Sequence, residues 1–222
     1  MNRRGLVILG AGGHAREIAE TVEAINAEQP TFDLLGFLVE AGYGLKDTVV
    51  DGRPILGDLP WLADHPGVEV ICGVGAPALR SRLARRAEEY GARFARLVHP
   101  RAVVGARVER ADGVVIQAGC VVTTGVRLGR HVHLNVGATV SHDCVAGDYV
   151  FLAPGVHVAG SVSLGEGCDV GVGASITPGR TLGAWSIVGA GSVVVVDVAP
   201  DVVVAGAPAK PIRDLTPGWH LG

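Results

Sequence analysis

The feature that most constrains this chain is a six-residue repeat. It runs without insertion from Ala102 to Asp197, 96 residues in sixteen hexapeptides. The third position of each unit, counted from Val104 in steps of six, is apolar at every step except Arg110. The position after it is glycine in seven of the sixteen: Gly105, Gly129, Gly147, Gly165, Gly171, Gly183 and Gly189. Two residues before the column, small or β-branched residues fill the first eight units, from Ala102 and Val108 to Ala138 and Cys144. Neither the 3.6-residue helical period nor a two-residue strand alternation produces this order. It predicts a parallel β-helix in which each hexapeptide is one short strand and one turn. The aliphatic points inward, and the glycine is expected to ease the turn. Such a core needs few large side chains, which suits a chain that is 5% aromatic and carries 33 glycines in 222 residues.

Charge narrows the function. The 19 Lys+Arg and 22 Asp+Glu leave a formal −3, not the basic surplus of a nucleic-acid binder. No apolar run reaches the roughly 18–20 residues of a membrane span. The richest stretch, Val193 to Gly206, is broken by Asp197 and Asp201. No signal-peptide pattern follows the start, so the sequence reads as a soluble cytoplasmic protein. Cys72, Cys120, Cys144 and Cys168 form no CxxC pair, so neither a metal nor a disulfide is expected.

Residues 1–98 differ in kind. A short strand at Leu6–Leu9 runs into Gly10-Ala11-Gly12-Gly13-His14, after which Ala15, Ile18, Ala19, Val22 and Ile25 recur at helical spacing. Further strands are predicted at 34–39 and 68–74, and a second helix over 77–90 with Leu79, Leu83, Ala84 and Ala87 inward. This is a small Rossmann-like α/β unit. Gly10, Gly12 and Ala15 fit G-x-G-x-x-G/A, a turn that brings backbone N–H groups to a phosphate. The same glycines would also serve a tight packing turn. The length is too short for two mononucleotide halves, so one nucleotide diphosphate fits better than a dinucleotide. Arg80, Arg82, Arg85, Arg86, Arg93, Arg96 and Arg101, interrupted by Glu88 and Glu89, read as a solvated face.

Among eight histidines, His142 stands apart because Asp143 follows it and Asn135 precedes it by seven. Acyl transfer from a thioester needs a base that works near neutral pH, and imidazole is that group. The repeat resembles the hexapeptide acyltransferases, whose left-handed β-helix takes eighteen residues per triangular coil. On that geometry Cys120, Cys144 and Cys168 lie inward on three different faces as core packing.

Val7 to His14, Gly75 before a helix carrying Arg80, Val98-His99-Pro100, Leu134-Asn135, Ser141 to Cys144 and Ala205 to Lys210 together carry a closer likeness. Over about residues 5–212 the chain resembles the bacterial nucleotide-aminosugar N-acetyltransferases, relatives of the sialic-acid O-acetyltransferases. The resemblance implies a nucleotide-sugar-binding domain at 1–98 and an acetyltransferase β-helix with a C-terminal cap at 99–222. It also implies a homotrimer that uses acetyl-CoA, without metal, on a nucleotide-linked 4-amino-4,6-dideoxy sugar. His142 matches the general base, Asp143 its acidic partner and Asn135 a polar neighbour. Gly10, Ala11, Gly12, Gly13, His14, Glu40 and Gly75 match the nucleotide-sugar loops; Val172 and Ala190 match backbone positions that receive the coenzyme. Two departures stand out: Val39-Glu40 replaces a pair of acids, and Phe151, beside the coenzyme, replaces a second histidine of some members.

One coil beyond His142 is Gly160, expected to offer its N–H to the oxyanion. Tyr149 and Trp185, at a turn position where glycine dominates, are expected to bury against neighbouring subunits. The rival readings are a sugar O-acetyltransferase, a non-enzymatic β-helix scaffold, and a metal-dependent β-helix enzyme of the carbonic anhydrase type. The last needs converging histidines, whereas Thr124 and Gly160 flank His142 in its column.

Overall fold

The computed structural model describes residues 3–40 and 48–221. Strand β1 (Arg4–Leu9) is buried over its last four residues and lies at the centre of a six-stranded sheet. Helix α1 (Gly13–Glu28) follows and turns Ala15, Ile18, Ala19 and Val22 inward. The sheet continues with β2 (Phe32–Leu38), β3 (Val49–Val50), β4 (Arg53–Gly57), β5 (Glu69–Cys72) and β6 (Arg93–Phe94), with α2 (Pro77–Glu89) between the last two. Its order is β3-β4-β2-β1-β5-β6, and only the β3–β4 pairing is antiparallel. The doubly wound unit expected from the sequence is present.

From Leu97 onward each hexapeptide gives a two-residue strand that pairs with strands eighteen residues away. Val115 pairs with Leu97 and His133, Val121 with Val103 and Thr139, and Arg127 with Glu109 and Val145. Three parallel sheets form a three-sided prism. The first face runs from Leu97–Val98 through His133–Leu134 and Phe151–Leu152 to Val202–Ala205, where Lys210–Asp214 closes it antiparallel. The second runs from Val103–Val104 to Val193–Val194, and the third from Glu109–Arg110 to Thr181–Leu182. One column of buried aliphatics fills the interior, with Cys120, Cys144 and Cys168 among them as core. Arg110 escapes the column because its strand is the outermost rung of the third face and is exposed.

The glycine expectation needs correction. The glycines beside the aliphatic column do not serve the turns. A Cβ on Gly165 would lie 2.5 Å from the Ala184 backbone nitrogen, and one on Gly171 2.7 Å from that of Ala190. They let successive coils approach. The left-handed turn position falls two residues later, and there His131, Asp143, Tyr149, Ser161 and Trp185 hold φ of 56–61° without being glycine. Each such residue costs on the order of 1 kcal/mol, so the five exceptions point to jobs that glycine cannot do.

Three of those exceptions form the corner between the third and first faces, and they are not free for a neighbour. His131 stacks on Tyr149 at 5.2 Å and meets Phe94 edge-on at 4.4 Å. Trp185 stacks on His220 at 3.8 Å, under the C-terminal turn Trp219–Leu221. Tyr149 and Trp185 are 4% and 6% exposed, so the chain covers its own aromatic corner. The α/β unit packs on the first face. Leu97 and Val115 share a core with Leu6, Ile8 and Ile18, and Tyr149 shares one with Leu83 and Phe94.

Arg80 corrects the solvated-face reading of the arginines. It is fully buried, on the same side of α2 as Leu83, Ala84 and Ala87. Its guanidinium donates to the carbonyls of His131 (3.1 Å), Val74 (3.0 Å), Tyr149 (2.7 Å), Val150 (3.3 Å) and Gly75. Burial pulls its pKa down to about 10, still charged at neutral pH. Arg82, Arg85 and Arg86 are exposed as expected.

Candidate active site

The sheet and its two helices open onto a cavity of about 330 Å³. Gly10, Ala11, Gly12, Gly13, His14, Glu40 and Gly75 all line it, so every acceptor-side residue expected from the sequence is here. The turn into α1 explains its chemistry. Gly12 is the N-cap without a side-chain bond, and no acid sits in the first turn, so the first N–H groups of the helix have no side-chain cap. A Cβ on Gly12 or Gly13 would meet nothing within 4 Å. These two glycines are not required for packing; their bareness leaves room for a ligand against the backbone. Gly73, which the sequence reading missed, is the packing glycine: a Cβ there would lie 2.6 Å from the Ala15 Cβ. Glu40 does not stand open to a ligand alone, because Arg86 forms an ion pair with it.

Through His14, which lines the cavity, the α/β unit touches the first face of the prism. His14 Nε2 lies 3.0 Å from His133 Nδ1, and His14 Nδ1 lies 3.2 Å from Glu17 Oε2. Phe151, one rung from His133, meets the His14 ring edge-on at 5.7 Å, and the Arg80 guanidinium lies over the Phe151 ring, 5.5 Å from its centroid. A Cβ on Gly75 would rest 3.4 Å from Phe151. Phe151 therefore sits beside His14 and Gly75, two residues that line the α/β cavity. Burial lowers the proton affinity of His14, partly offset by Glu17, and it pushes His133 far below the ordinary histidine range, helped by Arg80. His133 was not singled out by the sequence. The eighteen-residue step places it beside Phe151, but nothing in the repeat says that α1 covers that face.

His142 lies at the corner between the second and third faces, where the turn is held by Asp143 in the left-handed region. Asp143 Oδ2 is 2.9 Å from His142 Nδ1, and both side chains are more than half exposed. The contact orients the ring so that Nδ1–H donates to the carboxylate and Nε2 keeps its lone pair. That free edge lies over Gly160: a Cβ there would fall 2.5 Å from Nε2 and Cε1. Gly160 is thus required by the ring above it. Its carbonyl accepts Gly179 N–H (3.0 Å), and no acceptor among the described residues takes its own N–H. Asp143 would collide with any side chain at Gly125, which is why the coil below is also glycine there.

Three other expected residues fall elsewhere. Asn135 is not beside His142 in this chain. It is 2% exposed, on the run between the first and second faces, and its Nδ2 donates to Leu152 O at 3.3 Å. Val172 and Ala190 share that first–second corner, one coil apart, with Val172 55% exposed. Among the described residues no group of three His, Cys, Asp or Glu side chains converges as metal ligands. No helix among them is long and apolar enough to cross a membrane.

Known proteins match both halves. Residues 5–87 match the PglD N-terminal domain family. A GDP-perosamine N-acetyltransferase of Escherichia coli O157:H7 is 30% identical over 159 residues, 69% of each chain. A perosamine N-acetyltransferase of Caulobacter crescentus, solved with CoA and GDP-perosamine as a histidine-to-asparagine variant, is 35% identical. It aligns over 95% of this chain and 97% of its own with a TM-score of 0.87. The acetyltransferase domain of PglB from Neisseria gonorrhoeae, solved with acetyl coenzyme A, is 31% identical with the same TM-score, covering 95% and 100%. With the α/β pocket, the three-sided β-helix and the His142–Asp143 pair in one chain, these likenesses show that it belongs to the bacterial nucleotide-aminosugar N-acetyltransferases of the hexapeptide-repeat class.

Proposed function

We propose that the chain transfers the acetyl group of acetyl-CoA to the amine of a nucleotide-linked 4-amino-4,6-dideoxy sugar. The observation that carries this reading is the His142 ring, oriented by Asp143 and laid over a glycine whose N–H has no internal partner. The amine attacks the thioester carbonyl while Nε2 of His142 accepts its proton. Negative charge develops on the carbonyl oxygen, and this reading assigns the Gly160 N–H, which has no internal acceptor, to receive it. Collapse expels the CoA thiolate, which takes the proton back from His142, leaving amide and thiol. In the Caulobacter relative a histidine was replaced by asparagine and by alanine in structures holding both CoA and GDP-perosamine, which supports a histidine of this kind in the reaction. It also makes a GDP-linked 4-amino sugar the first acceptor to assay.

The same reading assigns the Gly10–Gly13 turn to the diphosphate, by backbone N–H groups and the α1 N-terminus. Gly75, His14 and Phe151 are assigned to the sugar end, and Val172 and Ala190 to the coenzyme. Asn135 is assigned a supporting part only, through the coil beneath the coenzyme corner.

A single chain leaves this site divided. The acceptor pocket opens on the first face, and His142 stands on the opposite corner of the prism. Bringing amine and base together takes a second copy, and exposed Val103, Val121 and Val145 on the second and third faces are apolar surface for it. We therefore read the enzyme as a cyclic homotrimer, each site built from two chains. A cytoplasmic location belongs to the same reading, in which acetyl-CoA is the donor.

The decisive assay offers acetyl-CoA with nucleotide-linked 4-amino sugars and with their 4-hydroxy counterparts. Turnover of the amines alone is expected; turnover of the hydroxyl series alone would make the chain an O-acetyltransferase. Mixing His142→Ala with Gly12→Val subunits tests the divided site. At nucleotide-sugar concentrations well below KM, where His142→Ala is inactive and Gly12→Val is slowed about tenfold, exchange should return about a quarter of the sites to the full rate if base and pocket come from different chains. No recovery after verified exchange would place both in one chain.

A further inference from the structure

Asp169 is a carboxylate that the fold leaves without a bond to accept. It stands on the first face of the prism, one rung beyond Phe151, and Val170 takes the inward position beside it. Its side chain therefore points away from the core column, in the same register as those of Phe151 and His133. The Asp169 backbone N–H donates to Ser186 O at 3.0 Å, but among the described residues no hydrogen bond or ion pair reaches the carboxylate.

The cation that acts on it has nothing left to give. A guanidinium carries five N–H groups. Those of Arg80 go to the carbonyls of His131, Val74, Gly75, Tyr149 and Val150. Burial pushes the Asp169 carboxyl up and the charge of Arg80 holds it down, with no hydrogen bond between the two. A carboxylate partly withdrawn from water and short of donors is costly to keep, so a donor from outside the chain is the natural partner.

The neighbours say which donor. Adjacent strands lie about 4.8 Å apart, which sets Asp169 against Phe151. Phe151 in turn abuts His14 and Gly75 of the α/β cavity. In the other direction the chain runs from Asp169 through Val170 and Gly171 to Val172 at the first–second corner. On the proposed function these are the sugar end and the coenzyme corner, so Asp169 stands between acceptor and thioester.

We propose that the Asp169 carboxylate accepts an N–H hydrogen bond from the 4-amine of the acceptor sugar and thereby selects an amine over a hydroxyl. This rests on the N-acetyltransferase reading above. The ammonium first leaves one proton to solvent. The free amine then has two N–H groups and one lone pair. One N–H goes to Asp169, the other to Nε2 of the partner subunit's His142, and the lone pair to the thioester carbonyl carbon. As the N–C bond forms, the carbonyl electron pair moves to oxygen and the histidine takes its proton. Collapse breaks the C–S bond, the thiolate takes that proton, and the amide keeps the N–H that Asp169 holds. A hydroxyl has a single O–H. Given to the base, it leaves Asp169 facing oxygen lone pairs; given to Asp169, it leaves the base no proton to accept.

The test compares a GDP-linked 4-amino-4,6-dideoxy hexose as substrate with its 4-hydroxy counterpart as competitive inhibitor, or the UDP-linked pair if uridine is preferred. Asp169→Ala should lower kcat/KM for the amine by about ten- to hundredfold, the effect of a lost hydrogen bond to a charged group. The inhibition constant of the hydroxy sugar should move by less than about twofold, because its diphosphate and ring contacts are untouched. KM for acetyl-CoA and the melting temperature should also hold. Asp169→Asn, of the same shape and with a carbonyl to accept the N–H, should recover part of the loss. An unchanged kcat/KM in a folded Asp169→Ala overturns the proposal. So does a parallel loss of amine and hydroxy sugar in both variants, which is the mark of a structural role. In either case the N-acetyltransferase reading stands on the turnover of the unaltered protein. An unaltered protein that acetylates the hydroxy sugar and not the amine overturns that reading and this inference with it.

Discussion

In the β-helix, a residue's neighbours are found by addition; in the α/β unit they are not. Eighteen residues separate His142 from Gly160, Asp143 from Gly125, and Gly113 from His131, and each pair is in contact or would be with one added carbon. In the N-terminal unit Arg80 reaches the turn at Tyr149 and His14 reaches His133 across 69 and 119 positions with no rule to announce it. The difference lies in how each region buries its apolar surface. A coil repeats one solution, so every rung sees the same neighbours, whereas a doubly wound unit is assembled once and docks once. On the proposed function the chemistry is divided on the same line, with the proton-accepting corner on the repeat and the diphosphate pocket on the unit that has none.

The sharpest way to break this comparison is at His142. Replacing it by Ala should lower kcat by about 10²–10⁴, with the KM for acetyl-CoA nearly unchanged. Initial rates with a 4-amino sugar nucleotide decide it, and wild-type turnover would move the base off the repeat. Next is Arg80, the bolt between the two regions. Arg80→Met removes the donor to five carbonyls and should cost about 3 kcal/mol in denaturant unfolding. An unchanged midpoint would mean that the buried guanidinium is compensated elsewhere.

Gly160→Ala tests the arithmetic of the coil. Its Cβ must displace the His142 ring, so kcat should fall about tenfold to 10²-fold while the melting temperature stays within a few degrees. A variant with normal kcat would show that the ring is not needed where the structure places it. The smallest effect is expected at Gly12→Val. Open space around that position predicts normal folding, and the added side chain should raise KM for the nucleotide sugar by about tenfold and leave KM for acetyl-CoA alone. If both KM values rise together, the glycine turn serves both substrates and the division of labour is wrong.

Much of the candidate site's geometry was legible because it sits on the repeat. The contacts of His142 with Asp143 and Gly160 needed only the motif and the coil length, and the same coil length sets Val172 and Ala190 on one corner. The Gly10–Gly13 turn was legible because strand, glycines and amphipathic helix follow one another locally. The reading went astray where a residue's setting depended on docking. Arg80 carries the charge pattern of a wet helix face, and Tyr149 and Trp185 look like open corners until α2 and the C-terminal turn cover them. The glycines beside the aliphatic column were assigned to turns, because a sequence shows that side chains are missing without showing whether conformation or crowding removed them.

The sequence by itself determined the period, and the period determined the prism, its core column, and which residues stand one above another. That follows because a strand-and-turn unit of fixed length leaves one register that buries the aliphatic column. Only the tertiary structure decided which face of the prism the α/β unit covers. That choice joined His14 to His133 beneath the cavity, buried Arg80 among carbonyls, and put the pocket on the far side of the prism from His142. These contacts come from the fit of two surfaces, and surface complementarity has no period for a sequence to display.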